Sequence, residues 1–385
     1  MSKAVQPVSS AQHIFDSAHY QELRRHIVRR AMQPFFRARK RQSKITGDLH
    51  EADIRTILIC RPNHRLGNLL LLTPLVIELQ RIFPQSEIDI VLAGRDGAEL
   101  FKSFPGVTRI YSLSRRMVRQ PVATIRTVLQ IRRASYDLVI DPCEASQSGR
   151  LLAVIAGARC VIGNPRDPRA ADPEEAAAMR RAPCHMAQWP VHLVRRAAAR
   201  HSLESGRAFP PLDINLSAEE RQIARRELDL LLETAGKPGV ETIVGIFADA
   251  TGAKCYGNDW WRRFIGEMQA QHPGCAIVEI APPDGRTRLS MDLPSFSSPS
   301  PRKVAAVISN MTCFVSADCG VMHLASASGV PTIGLFSVTD ASKYAPYGRG
   351  SRALVTNGKN PEEIALLASE LLEKFRRHRC DEASA

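Results

Sequence analysis

The chain contains no run of about 18 consecutive apolar residues, so the sequence predicts no transmembrane helix. Its opening residues, Met1-Ser2-Lys3-Ala4-Val5-Gln6, lack the apolar core of a signal peptide, and the expectation is a cytoplasmic protein. The nine cysteines are scattered, with no CxxC and no metal-ligand spacing. An odd count without pairing pattern fits a reducing compartment and predicts neither a disulfide nor a metal site. Aromatic residues make up only 6% and are not interleaved with basic ones, and no nucleic-acid motif is present. The turn after the first β-rich run, Arg61 to Gly67, has no GxGxxG, which argues against a dinucleotide-dependent oxidoreductase.

What the chain does have is positive charge. A formal +13 over 385 residues predicts an anionic partner, and with nucleic acid set aside this means a membrane surface or an anionic glycolipid. Part of the charge lies in residues 1–50. There Arg24, Arg25, Arg29, Arg30, Arg37, Arg39, Lys40 and Arg41 interleave with Leu23, Ile27, Val28, Met32, Phe35 and Phe36 at helical spacing. This reads as a basic amphipathic extension that lies on the inner face of the cytoplasmic membrane, or as a solvated helix packed on the body of the protein.

The most informative stretch is Ser316-Ala317-Asp318-Cys319-Gly320-Val321-Met322-His323-Leu324-Ala325. Preceded by Cys313-Phe314-Val315 and followed by Val330-Pro331-Thr332-Ile333, it reads as strand, acidic turn, helix, strand. A helix opening at Gly320 offers free N–H groups to a phosphate, and Cys319 and Gly320 are small enough for close approach. Asp318 can accept hydrogen bonds from ligand hydroxyls, with His323 one turn into the helix. From Asp318 the chain reads D-C-G-V-M-H-L-A-S-A-S-G-V-P-T-I-G-L-F-S-V-T-D and then P-Y-G at Pro346 to Gly348. This run resembles the C-terminal signature of glycosyltransferase family 9, the ADP-heptose:lipopolysaccharide heptosyltransferases, with Cys for Ser at 319 and Ser for Gly at 337. Earlier stretches resemble the same family in the same order. They are R-L-G-N-L-L-L-L-T-P at Arg65 to Pro74, F-P-Q-S-E-I-D-I-V-L from Phe83, F-P-G-V from Phe104 and Y-D-L-V-I-D from Tyr136.

Along the chain, Ile54 to Cys60, Ile88 to Leu92, Ile110-Tyr111 and Asp137 to Asp141 read as strands, alternating with helices at Leu69 to Phe83 and Gly149 to Ala156. Ser217 caps a helix running to Leu232. Thr242 to Ala248 opens a second set, with a helix beginning near Asp259, a strand at Ala276 to Ile280, and a closing amphipathic helix at Pro361 to Arg377 of the kind that often crosses back to the first domain. Alternation of this kind predicts an α/β protein with parallel sheets. The expected division is an extension (1–50), an N-terminal Rossmann-like domain (51–235), a C-terminal Rossmann-like domain (236–360) and a terminal helix and tail (361–385).

The resemblance implies the GT-B fold, two Rossmann-like domains facing a cleft, with the nucleotide sugar on the C-terminal half and the acceptor on the N-terminal half. It implies transfer of a heptose or related sugar from an ADP-type donor to a lipopolysaccharide-core or similar glycolipid acceptor, with inversion. No cofactor or metal is implied, and the sequence offers no DxD motif. The donor set it implies is Thr251, Lys254, Glu279, Asp318, Cys319, Gly320 and His323. Thr251 and Lys254 would grip the diphosphate and Glu279 the ribose hydroxyls; a surface lysine at 254 and a structural ion pair at Glu279 are the alternatives. Arg65, Gly67, Asn68 and Thr73 would face the acceptor. In the family an Asp, taken as the general base, stands where this chain has Asn68, and an amide cannot take a proton. Either another group supplies the base, with His64 and Asp141 as candidates, or transfer relies on positioning, or the chain is a catalytically silent binding protein.

Overall fold

In the computed structural model, residues 54–94, 97–114, 120–143, 146–163, 182–198, 207–289 and 291–384 are described. The basic amphipathic extension at 1–50 lies outside the described residues. Two all-parallel sheets form. The first contains β1 (Thr56–Cys60), β2 (Glu87–Ala93), β3 (Val107–Leu113), β4 (Leu138–Ile140) and β5 (Cys160–Ile162), in the spatial order β3-β2-β1-β4-β5. The second contains β6 (Ile243–Phe247), β7 (Ala276–Ile280), β8 (Ser295–Phe296), β9 (Cys313–Ala317), β10 (Thr332–Phe336) and β11 (Arg352–Val355), in the order β11-β10-β9-β6-β7-β8. In both, the chain enters at a central strand and the order reverses beside it, which places a crevice at the strands' carboxyl ends.

Between the first strands come helices α1 (Leu66–Leu70) and α2 (Thr73–Ile82), then α3 (Pro121–Arg133), α4 (Gln147–Ala156) and α5 (Gln188–Ala198). The single helix expected from Leu69 to Phe83 is thus two. Pro74 has no N–H to continue a helix and starts a new one at its first turn, with a break at Leu71-Leu72. Helix α3 and strand β11 carry no strong sequence signal and enter only with the structure. The second half adds α6 (Ala218–Thr234), α7 (Asn258–Gln271), α8 (Pro301–Ile308), α9 (Gly320–Ala327), α10 (Ala341–Tyr344) and α11 (Pro361–Ser384). Ser217 caps α6 as expected, its hydroxyl accepting from the Glu220 N–H at 3.1 Å while Glu220 returns a bond to the Ser217 N–H at 2.8 Å.

Strand alternation sorts the core into layers. Ile57 and Ile59 of β1 face an apolar cluster that is continuous between the two sheets, whereas Leu58 and Cys60 face an outer cluster under α3 and α4. In the second sheet, Val244 and Ile246 face an outer cluster with Trp261, Phe264 and Ile265 of α7. Helix α11 joins that cluster through Ile364, Ala368, Leu372 and Phe375. It therefore packs on α7 of the second half and does not return to the first sheet, because its apolar face is filled by α7.

A buried ion pair ties α2 to α5 and to the segment that follows. Arg195 Nε donates to Glu78 Oε1 at 2.7 Å and its Nη2 to Oε2 at 3.2 Å, and Arg81 reaches the same carboxylate at 2.7 Å. Arg195 also donates to the carbonyls of Arg207 and Ala208 and lies 4.8 Å from the Phe209 ring centre. The two guanidinium groups hold the Glu78 pKa below its usual value against the opposing effect of burial. Removing one member leaves a buried charge short of partners, which typically costs about 3–5 kcal/mol. Arg195→Met is expected to lower unfolding free energy by roughly that amount; a urea midpoint within error of wild type would contradict it.

Candidate functional site

The two sheets' carboxyl ends meet at two glycines. Helix α1 presents Gly67 and helix α9 presents Gly320, and a methyl group built on Gly320 would lie 3.1 Å from the Gly67 nitrogen and 3.1 Å from Leu66 Cβ. One built on Gly67 would lie 2.9 Å from His323 Cδ2 and 3.3 Å from Gly320 Cα. The backbones approach this closely only because neither position has a side chain. The first turns of the two helices are therefore in direct contact, and a helix N-terminus carries unsatisfied N–H groups and a partial positive charge.

Strand β9 delivers Asp318 to this point. Its Oδ2 accepts from Lys254 Nζ at 2.5 Å, across a loop that closes as a short turn at Gly252–Lys254. Asp318 is buried, whereas the Lys254 side chain remains about one-third exposed. Cys319 takes the cap position of α9, where Ser, Thr, Asp or Asn would ordinarily place an oxygen, and makes no side-chain cap bond. Its sulfur instead lies 3.3 Å from Ser316 Oγ, and burial pushes the thiol pKa up, so it stays neutral. The cap position of α9 therefore carries a neutral thiol, and the acidic side chain at this end of the helix is Asp318, one residue earlier.

His323 is buried, and its Nδ1 has no hydrogen-bond partner. Burial lowers its pKa to about 4, with Asp318 opposing the shift and His185 and Lys254 adding to it. The ring is neutral at pH 7. His185, which had no sequence signal, sits in a second layer. Its Nδ1 accepts from the Ala187 N–H at 3.2 Å, so Nε2 carries the proton and donates to the Ala345 carbonyl at 2.9 Å. The ring stacks on Tyr347 at 4.9 Å, and the Tyr347 hydroxyl donates to the Phe209 carbonyl at 3.2 Å. The P-Y-G sequence therefore fastens the second half to the 182–212 region. Tyr256 is another residue the sequence reading missed. Its hydroxyl pairs with Thr356 Oγ1 at 2.8 Å, and the charge of Asp318 helps raise its pKa, after burial as the main cause.

The remaining candidates divide. Glu279 is buried on β7, with Oε1 accepting from the N–H groups of Arg288 at 2.8 Å and Leu289 at 3.3 Å, and Oε2 has no partner. No ion pair to Glu279 forms among the described residues. Thr251 is exposed at the loop before Lys254, and Asn68 is half-buried on α1. Arg65 and His64 are exposed between β1 and α1. Thr73 is a correction. It is fully buried, its hydroxyl donating to the Leu70 carbonyl at 2.8 Å and accepting from the Asp213 N–H at 3.2 Å, so it fastens α2 to the 207–217 segment and does not reach an acceptor.

Asp141 lies just beyond β4, the neighbour of β1, and is buried. Its Oδ1 accepts from the Cys143 N–H at 3.3 Å and lies close to Gly149, where an added methyl group would come within 2.8 Å of it. Burial raises its pKa to about 6, with Arg150 and Arg61 pulling the other way. Arg61 itself donates to the Cys143 sulfur.

The model of Glycosyltransferase family 9 (heptosyltransferase) matches residues 125–365. The chain belongs to glycosyltransferase family 9. It is 21% identical over 314 residues, 73% of this chain and 82% of the relative, to lipopolysaccharide heptosyltransferase 3 of Escherichia coli K12. The fold is similar to that of a family 9 glycosyltransferase from Veillonella parvula, at a TM-score of 0.65 and 16% identity, covering 84% of this chain and 99% of that one. It is also similar to an E. coli heptosyltransferase solved with ADP, at 0.58 and 20% identity, covering 83% and 99%. The two facing Rossmann-like sheets are thus those of a GT-B glycosyltransferase, and the family 9 chain is a transferase enzyme.

A neutral buried His323 links stability to pH. The fold binds its proton only below about 4, whereas the unfolded chain binds it below about 6.5, so this contribution is full above 6.5 and is lost as pH falls toward 4. Asp141, raised to about 6, acts with the opposite sign over much of that window. The His323 share is therefore the difference between wild type and His323→Leu. Unfolding free energy should fall more steeply from pH 6.5 to 4 in wild type than in the variant, by up to about 3 kcal/mol. Parallel curves would refute the neutral ring.

Proposed function

We propose that this protein transfers a heptose, or a closely related sugar, from an ADP-sugar to a lipopolysaccharide-core or similar anionic glycolipid, inverting the anomeric carbon, on the inner face of the cytoplasmic membrane. The observation that carries the reading is the Lys254–Asp318 pair, whose carboxylate stands two residues before Gly320 at the start of α9. The donor diphosphate would rest against the α9 N–H groups at Cys319 and Gly320 and draw the Lys254 ammonium onto its oxygens. Thr251 would add a hydroxyl from the same loop. Asp318 would then be free to accept from a sugar hydroxyl, and Glu279, whose unpartnered Oε2 is shielded from solvent, would reach the vicinal hydroxyls of a ribose only once uncovered. The E. coli heptosyltransferase structures solved with ADP and with a fluorinated ADP-heptose support the donor class.

The step is a single displacement. An acceptor hydroxyl oxygen forms a bond to the anomeric carbon from the face opposite the diphosphate, the bond from that carbon to the diphosphate oxygen breaks, and ADP leaves with the electron pair. Negative charge grows on the diphosphate as the bond breaks, and Lys254 with the α9 N–H groups stabilises it where it develops. The acceptor proton needs a base that Asn68 cannot be. Asp141, at the carboxyl end of the strand beside β1 and with a pKa near 6, is the carboxylate suited to that role; Asn68 and Arg65 would orient the acceptor. A buried carboxylate with a raised pKa is ionised at pH 7 yet basic enough to take a proton.

The test follows ADP release from ADP-heptose with and without a lipopolysaccharide-core acceptor. Lys254→Ala is expected to lower kcat about 10²–10³-fold. Acceptor-dependent kcat/KM should rise with pH through about 6 and level off above it, since the ionised carboxylate is the active form. Asp141→Asn should remove that rise and cost about 10²–10⁴-fold; a wild-type profile in this variant would discard Asp141 as base. Donor binding without turnover in wild type, with turnover appearing in Asn68→Asp, would instead favour a catalytically silent binding protein.

A further inference from the structure

Helix α3 is built the wrong way round for a helix that serves only the core. Its inner face is the narrow one: Ile131 is fully buried against the outer cluster of the first sheet, with Val128 partly buried beside it. Its outer face carries Val122 at 79%, Ile125 at 58% and Leu129 at 46% exposure, three of the large apolar side chains that the described residues leave open to solvent. At about 100° per residue these three fall within an arc of about 60°. Arg126 and Arg133 lie along one border of that arc and Arg132 along the other. All three arginines are exposed, and the helix has no acidic residue. Arg132 also donates to the Ile155 carbonyl of α4 at 3.2 Å, which leaves the exposed Arg126 and Arg133 as the candidates for an external anion.

The position of the helix adds to this. Its first turn borders a cavity of about 300 Å³ lined by Gly94, Ser112, Ser114, Gln120, Thr124 and Thr127, at the carboxyl ends of β2 and β3. The sheet is parallel, so these ends lie on the same side of it as α1 and Gly67.

We propose that the outer face of α3 docks on an anionic lipid bilayer, with Val122, Ile125 and Leu129 inserted at the headgroup boundary and Arg126 and Arg133 on lipid phosphates. An apolar strip bordered by cations matches the two layers of such an interface, apolar chains below and negative headgroups above. A second protein copy would have to place acidic side chains over the same strip, and α3 offers none to a symmetric partner. Docking through α3 would turn the acceptor edge of the first sheet toward the surface that holds a glycolipid. The proposal concerns this face alone and stands whether or not the donor assignment does.

The test uses the full chain, so that residues 1–50 are present throughout. Flotation is measured with phosphatidylcholine vesicles and with vesicles also containing phosphatidylglycerol. The triple variant Val122→Ser, Ile125→Ser, Leu129→Ser and the double variant Arg126→Gln, Arg133→Gln are each expected to lose at least fivefold in partitioning to the anionic vesicles, with unchanged thermal melting. Ile125→Trp on vesicles of brominated phosphatidylglycerol should show tryptophan quenching in excess of that from the three native tryptophans. Unchanged partitioning in both variants, or vesicle-bound Ile125→Trp without excess quenching, would overturn the proposal by placing membrane contact elsewhere. Concentration-dependent dimerisation in light scattering that the triple variant abolishes, with no vesicle binding by wild type, would overturn it in favour of a second copy.

Discussion

The site depends on one steric fact, the absence of side chains at Gly67 and Gly320. Each glycine fills the space in which the other's Cβ would stand, and His323 closes over the contact. Two helices from opposite sheets can therefore direct their first turns at the same volume. A side chain at either position would force the sheets apart at the point where they converge. The candidate site residues are grouped beside this contact. Lys254 is held by Asp318, and a neutral thiol stands at the cap position of α9.

The geometry is secured from behind by polar contacts that join distant parts of the chain. The Glu78–Arg195 pair and the two carbonyls that Arg195 binds hold the 207–209 segment against α2. Tyr347 and His185 bind the same region to the loop after α10. Gly348, at a φ of +122°, brings its backbone within reach of Pro211. Each of these bonds satisfies a polar group that folding has removed from water, so releasing one leaves another unpaired. These contacts brace the two halves against each other, while Lys254, about one-third exposed, stays tied to Asp318.

Several features were readable from residue order because they rest on local rules. Strand periodicity, the Ser217 capping box and the strand–turn–helix at Asp318 depend on neighbours within a few positions, and all appear where the pattern put them. The break between α1 and α2 follows an equally local rule, the missing N–H of Pro74, that the long apolar run concealed. The course of α11 was not readable. Its apolar face is plain in the sequence, but which helix fills it is a matter of tertiary contact.

The site divides along the same line. By itself the sequence determined the family and the α/β class, and it placed Asp318 and Gly320 at a strand-to-helix turn, His323 one turn into the helix and Lys254 on a loop after β6, because such placement is carried by short-range order. Tertiary structure decided what those residues do to one another. It withdrew Thr73 into the core, brought His185 and Tyr256 beside the site, left one oxygen of Glu279 free and buried Asp141 enough to raise its pKa to about 6. It also turned the apolar strip of α3 outward. The physical reason is common to all of these. Desolvation and pairing depend on atoms that are distant in sequence and adjacent only after the two sheets have packed.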